Sequence, residues 1–294
     1  MASFLIKRII QLLVVFFIIT MVAYLLLFVI GNPVYVMFGG GVAVTQAQID
    51  ELTQQMGLDQ PIFVQYARFL YRVVTQGDFG KSYYYKQPAM GLILERIPAT
   101  LALAVPSLLL SAILSIPFGI IAAIRRGTVF DRAILGFSML GTSTPSFWMS
   151  LILVYVFAVE LKVLPSSGYG TPAHVILPMV GVTFSTTATL VRMVRSETLE
   201  VLRKDYVRTA YAKGLSSVVV LGRHVLRNAL IPFVTYFGML VGNVLGMTII
   251  TEKIFAWPGS GRLLLTSIER MDQPLVVSYV VVIACLFVFV NLIV

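Results

Sequence analysis

Apolar residues run along this chain in long blocks separated by short polar stretches, a spacing that reads as helices crossing a bilayer. A ~30 Å hydrocarbon core takes about 20 residues of helix. Six blocks reach or approach that length: residues 9–30, 98–124, 133–159, 175–191, 229–251 and 275–294. Lys7 and Arg8 precede the first block as they would a signal peptide. Its apolar run is too long for one, and no small-residue cleavage site follows, so an uncleaved span is expected. The fourth block is short and carries Thr183, Ser185, Thr186, Thr187 and Thr189. A helix so rich in hydroxyls is expected to face other helices or water rather than lipid. Pro106, Pro117, Pro145, Pro178 and Pro232 can each bend a span, which predicts curved helices around a cavity. The pattern specifies an all-α polytopic membrane protein with six transmembrane helices.

Two segments between the blocks are too long to be mere connectors. In residues 31–96, Thr45 and Gln48 form a capping box, Ile49, Leu52 and Met56 share a helix face, and Gly57 ends it. A second helix is expected from Asp59 as N-cap and Pro61 in the first turn, with Phe63, Tyr66, Phe69, Leu70 and Val73 on its apolar side. This small helical cap either packs on its own spans or docks an external protein. In residues 192–228, Asp205 is expected to cap a short helix over 206–213 that Gly214 ends. Ser216 or Ser217 then starts another helix leading through Arg223, His224, Arg227 and Asn228 toward Pro232. A short helix held between two spans suits the transmission of a push from a partner, whereas the blander alternative is a basic loop lying on anionic lipid head groups.

Composition narrows the function. The chain is 58% hydrophobic and 12% charged, against about 25% charged in a soluble domain. That excludes a disordered chain, a nucleic-acid binder and an ordinary soluble enzyme. The net charge of +9 would imply an anionic partner in a soluble protein. With six spans and the N-terminus inside, however, thirteen bases and four acids fall on the inner side, and nine of each on the outer. The whole excess therefore sits where the positive-inside rule puts it, and no nucleic acid is needed. No Asp, Glu, Lys, Arg or His lies within the six blocks, which speaks against a proton-coupled carrier or an intramembrane protease. The driving energy is expected from outside the membrane.

Chemistry of other kinds finds little support. A nucleotide site is not expected: Gly80-Lys81-Ser82 imitates the end of a phosphate-binding loop, but Thr75 stands where that pattern needs glycine. Cys285 is the single cysteine, and His174 and His224 fall on opposite sides of the membrane, so neither a disulfide nor a shared metal site is expected. A secondary carrier would need charges within its spans. A non-transporting scaffold would need neither the hydroxyl-rich fourth block nor a capped inner helix. No paired carboxylates or nucleophile with base point to an enzyme.

Specific motifs then carry a resemblance. Arg208-Thr-Ala-Tyr-Ala-Lys-Gly214, followed by Arg223-His-Val-Leu-Arg-Asn-Ala-Leu-Ile-Pro232, resembles the coupling loop of ABC-importer permeases, most closely the dipeptide/oligopeptide/nickel branch. Arg208 and Thr209 replace the acid and first alanine of the general form, while Ala210 and Gly214 match. Gly77-Asp-Phe-Gly80 with Ser82, Pro145-Ser-Phe-Trp148, Leu164-Pro165 with Gly168, and Phe255-Ala-Trp-Pro-Gly-Ser-Gly-Arg-Leu263 resemble the same branch. Members usually continue past the last span with a short polar tail, whereas this chain stops at Val294 in apolar sequence. The resemblance implies a MetI-like type I ABC importer permease fold in a prokaryotic inner membrane. It further implies a second homologous permease, two ABC ATPase subunits that carry ATP and Mg, and an extracytoplasmic solute-binding protein. No cofactor is expected on this chain itself. Short peptides are the cargo it implies first, with nickel, glutathione or another small solute as alternatives.

On this basis the chain divides into residues 1–30 with the first span, the external cap 31–96 and a five-helix core 97–294 that includes the coupling loop. Tyr206, Arg208, Thr209, Ala210, Tyr211, Lys213 and Gly214 are the expected ATPase contacts. Gly238, Gly242 and Gly246, four residues apart, are expected to let another helix approach closely, within the chain or from the partner permease. Thr183, Ser185, Thr186, Thr187 and Asn243 are candidates for the lining of the path. Glu252, Lys253, Arg262, Glu269, Arg270 and Asp272 lie just outside the last two blocks, where they either dock the binding protein or serve as interfacial anchors in contact with membrane lipids.

Overall fold

The computed structural model describes residues 2–30, 34 and 45–293. Residues 31–33 and 35–44 of the external cap, the side chains at both ends of the first block, and Val294 lie outside the described residues. In chain order the helices are α1 Ala2–Ile30, α2 Gln46–Gln55, α3 Ile62–Gln76, α4 Ala89–Ile124, α5 Val129–Ser143, α6 Ser146–Leu153, α7 Pro172–Leu202, α8 Asp205–Ala212, α9 Ser217–Val219, α10 Arg227–Ile254, α11 Ser260–Glu269 and α12 Gln273–Ile293. Wider π-helical turns extend α6 over Val154–Glu160 and join α9 to α10 over Val220–Leu226. Among the described residues there is no strand, only an isolated bridge between Lys81 and Pro88.

Four helical stretches are long and apolar enough to cross a membrane: α4, α7, the continuous run Ser217–Ile254, and Gln273–Val290 of α12. A fifth exists if α5 and α6 count as one broken span, and the apolar stretch found in α1, Leu13–Leu25, is shorter. The expected count of six is therefore not reached among the described residues. The sharpest bend is in the third block, by 103° between Ser143 and Ser146, at one of the prolines expected to bend a span. Pro145 causes the break. It has no N–H to continue the helix and its ring collides with the preceding turn, and Thr144 before it is extended, at φ −90° and ψ 119°. Each arm of 15 residues spans only about 22 Å, too short to cross the core alone.

The residues gather into two compact units: Met1–Pro98 with Gly259–Ile293, and Ala99–Pro258. In the first, α1 packs along α12 and α3 lies against α1. Tyr24, Tyr66, Phe69, Val276 and Val277 form its core, and the Tyr66 hydroxyl donates to Phe17 O at 3.0 Å. The local signals in this unit partly differ from expectation. Gln48 accepts from the Thr45 N–H at 3.1 Å and Gly57 sits at φ +67°, as the capping box and stop predict. Pro61 rather than Asp59 precedes α3, and Phe63 is exposed while Tyr66 and Phe69 are buried.

In the second unit α7 is the central helix, packed by α5, α6 and α10. Thr171 precedes it in extended conformation and Pro172 occupies its first turn, where a missing N–H costs nothing. At 31 residues α7 extends about 46 Å, well beyond the short fourth block, and its C-terminal third carries Arg192, Arg195, Glu197 and Glu200 past that block. Thr183, Thr186 and Thr187 are buried. Thr186 and Thr189 turn their hydroxyls back onto the carbonyls of Val182 and Ser185, which removes much of their polarity from the helix surface.

Candidate functional site

In the second unit α8 follows the C-terminal end of α7. Lys204 is its N-cap in extended conformation and Asp205 is its first residue. Asp205 therefore does not cap with its side chain as expected; it places a carboxylate in the first turn, where the helix dipole favours negative charge. At the other end Gly214 has φ +78°, its N–H bonds Tyr211 O at 2.9 Å, and the Leu215 N–H bonds Ala210 O at 3.3 Å. This left-handed stop favours glycine for its backbone alone, because a Cβ there would meet nothing within 4 Å.

Two residues seat α8. Val207 is 1% and Ala210 is 5% exposed, packed with Val201, Val220, Val225 and Ala229. Burying a valine in this way is worth roughly 1.5–3 kcal/mol. Tyr206, Arg208, Thr209, Tyr211, Lys213 and Gly214 are exposed, so outside the Val207 and Ala210 stripe this two-turn helix and its end carry two exposed rings and two cations. Ala210 thus belongs to the seat of the helix and not to its outer face. Its small size lets α8 lie close to α7 and the π turns.

A groove opens along α7 and α10. Its upper part, about 520 Å³, is lined by Thr142, Ser146, Ser185, Thr186, Thr189, Tyr236, Asn243 and Gly246 together with apolar residues of α10. A second cavity of about 450 Å³ shares Thr189 and Tyr236 and continues to Arg192, Met193, Ser196 and Glu197. Ser185, Thr186 and Asn243 are thus brought together, and the buried Ser185 Oγ has no protein partner among the described residues. Thr183 and Thr187 do not line this groove: Thr183 donates to Ser107 O at 3.3 Å, on the side facing α4. Thr142, Ser146 and Tyr236 were not singled out from the sequence. Only the Pro145 bend brings Thr142 and Ser146 beside α7.

The three glycines of α10 are not equivalent. Gly238 is buried, Gly242 half-buried and Gly246 exposed, with open space where a Cβ would be. A four-residue step advances 400° around a helix, so the row turns ~80° from first to last. Among the described residues Gly246 therefore receives no close helix.

The charged residues beyond the last two blocks also divide. Lys253, Arg262 and Glu269 are exposed. Glu252 is 0% exposed and accepts from Thr100 Oγ1 at 2.8 Å. Asp272 is buried as well and accepts from Ser82 Oγ and from the Tyr83 and Tyr84 N–H groups at 3.1 and 3.2 Å. Neither carboxylate is available to an external protein, contrary to the docking reading. Residues just outside an apolar block look solvated in sequence, but here a donor from α4 reaches Glu252 and donors from the 80–88 turn enclose Asp272. Arg270 lies with its guanidinium 3.4 Å from the Tyr84 ring centroid. Burial, with the Asp272 charge added, pushes the Tyr83 phenol up to about 12.

One pairing was invisible in sequence. Arg195 Nε and Nη2 donate to the two oxygens of Asp131 at 2.6 and 2.9 Å, tying the start of α5 to α7. Among the described residues no group of three or more His, Cys, Asp or Glu side chains could hold a metal ion.

Similarity to known proteins covers nearly the whole chain. Residues 115–294 match the family described as "Binding-protein-dependent transport system inner membrane component", and residues 1–104 match its N-terminal companion family. A protein of Brucella suis biovar 1 named as a peptide permease is 38% identical over 89% of this chain and 85% of its own length. The glutathione transport system permease protein GsiC of Escherichia coli K12 is 37% identical over 100% of this chain and 95% of its own. An α8 presented outward, a polar groove between apolar helices and these matches converge on one assignment. The chain belongs to the family of inner-membrane components of binding-protein-dependent transport systems, the non-catalytic permease subunits of ABC importers.

Proposed function

We propose that this chain forms half of the translocation path of an ATP-driven importer for di- or oligopeptides. The observation that carries the reading is α8, a two-turn helix seated by Val207 and Ala210 on the inner end of α7, with Tyr206, Arg208, Thr209, Tyr211 and Lys213 turned outward. In this reading each of two cytoplasmic ABC ATPase subunits, which carry ATP and Mg, holds one such helix in a surface cleft. One helix is supplied by this chain and the other by a second homologous permease. ATPase closure pulls α8, α7 follows, and the groove lined by Ser185, Thr186 and Asn243 turns outward. There a solute-binding protein delivers cargo, with Arg262 and Glu269 of the first unit and Lys253 of the second each as a candidate contact. Peptides lead as cargo because the relative from Brucella suis is named as a peptide permease; the relative from Escherichia coli keeps glutathione, itself a peptide, within the reading. The open face beside Gly246 is offered to the partner permease.

The test is Gly214→Val in the assembled transporter. Valine at φ +78° is strained, so the variant should insert and bind the ATPases while peptide uptake falls by an order of magnitude or more. Peptide uptake at the normal rate would refute the role given to α8. Co-purification of wild-type protein from native membranes without any ATPase would refute the class of partner.

A further inference from the structure

Three contacts dock the bent span on α7 at positions seven residues apart. At Gly181, a Cβ would lie 2.6 Å from Ser150 Oγ of α6. At Ala188, the Cβ already fills the space that a side chain on Gly141 of α5 would need. At Arg195, the guanidinium grips Asp131 at the start of α5. Seven residues drift only ~20° around a helix, so these positions form one stripe about 21 Å long, and each arm of the broken span closes against it.

The three contacts differ in kind. The two upper ones are close apolar or hydroxyl approaches, held by dispersion that has no preferred direction, so they tolerate sliding along the α7 axis. The lowest is a two-bond fork between planar groups, and the Gly127 N–H also donates to Asp131 Oδ2 at 2.9 Å. A fork fixes axial position and rotation together. Its carboxylate side chain is 4% exposed and its arginine 17%, so solvent screens it little. A buried ion pair gains little stability over an apolar contact of similar size; its distinct contribution here is register. It also lies ten residues before α8, on the part of α7 nearest the seat of that helix.

We propose that Asp131 and Arg195 are positioning residues for transport, locking the bent span to α7 so that both move as one body when α8 is pulled. This rests on the coupling role proposed for α8. Energetic coupling of this kind needs a rigid link between elements that have two arrangements, and the fork supplies that link at the end where force enters.

The test uses the complete transporter, with its partner permease, ATPases and binding protein, in lipid nanodiscs. With Cys285 replaced by serine, spin labels are placed at Met139 on α5 and Arg203 at the end of α7, both exposed. Their separation is measured without nucleotide and after trapping with ATP and vanadate. In the otherwise wild-type complex the separation should be the same in both states. Asp131→Arg should make it differ between states by about one helical turn, ~5 Å. Adding Arg195→Asp should restore the single value. If Asp131→Arg does not insert, Arg195→Lys takes its place, keeping the charge but losing the fork. A separation that changes on trapping in the wild-type complex overturns the lock, as does one that stays constant in the single variant. A wild-type complex that traps no nucleotide overturns instead the coupling role on which the lock rests.

Discussion

Asp272 shows how much one buried carboxylate can organise. It ends three hydrogen bonds from Ser82, Tyr83 and Tyr84 and so holds the 80–88 turn in the first unit. Bonds to a charged group are each worth ~1.5–3 kcal/mol. Asp272→Ala should therefore raise the open population of the turn by about 30-fold for a net ~2 kcal/mol. Trypsin cleavage after Lys81 or Lys86 follows that population, so cleavage at the wild-type rate would show the clamp to be dispensable. Tyr83 adds a pH signature. Its phenol ionises near 10 when unfolded and about 12 when folded, so the folded state holds the proton more tightly. The associated stability is complete below pH 10 and lost as pH rises from 10 to 12. Tyr83→Phe should remove this loss, read as a flatter dependence of melting temperature on alkaline pH.

At the scale of elements, the close approach of α5 to α7 depends on what is absent from Gly141. Gly141→Ala puts a methyl where Ala188 Cβ already lies, and overpacking of this kind typically costs about 1–3 kcal/mol. Thermal stability of the purified protein should fall accordingly, and Ala188→Gly should recover most of it in the double variant. Additive losses would mean that the two residues do not share the contact. The seat of α8 is tested by Val207→Asp. This change removes a valine that is 1% exposed and buries a charge in its place, which should release the helix and abolish co-purification of the ATPases. Tyr206→Ala, on the outer face, should leave α8 seated and weaken only the ATPase contact.

For the whole molecule, the placement of all excess positive charge on one side predicts which segments face the cytoplasm. In a protein whose Cys285 has been replaced, a cysteine at Tyr85 should react with an impermeant maleimide on intact cells. A cysteine at Lys213 should react only after permeabilisation. Reversal of that pattern would invert the orientation and place α8 on the wrong side for any ATPase.

Local signals were legible along the chain wherever a single residue decides the backbone. Gly57 and Gly214 stop their helices and Pro145 bends the third span, each through its own sterics, and Ser216 precedes α9 in extended conformation without a side-chain cap bond. Apolar block length marked most spans, because burial in lipid depends on composition along one helix and on little else. Tertiary structure alone decided what faces what. Asp131 and Arg195 are 64 residues apart and were, in sequence, two loop charges of opposite sign. Glu252 and Asp272 looked solvated because one-dimensional hydropathy cannot place Thr100 or Ser82 beside them. The hydroxyls of α7 looked alike, yet Ser185 lines a groove and Thr183 is turned toward α4. Side-chain direction around a helix matters only once neighbours exist, and packing, not sequence distance, supplies them.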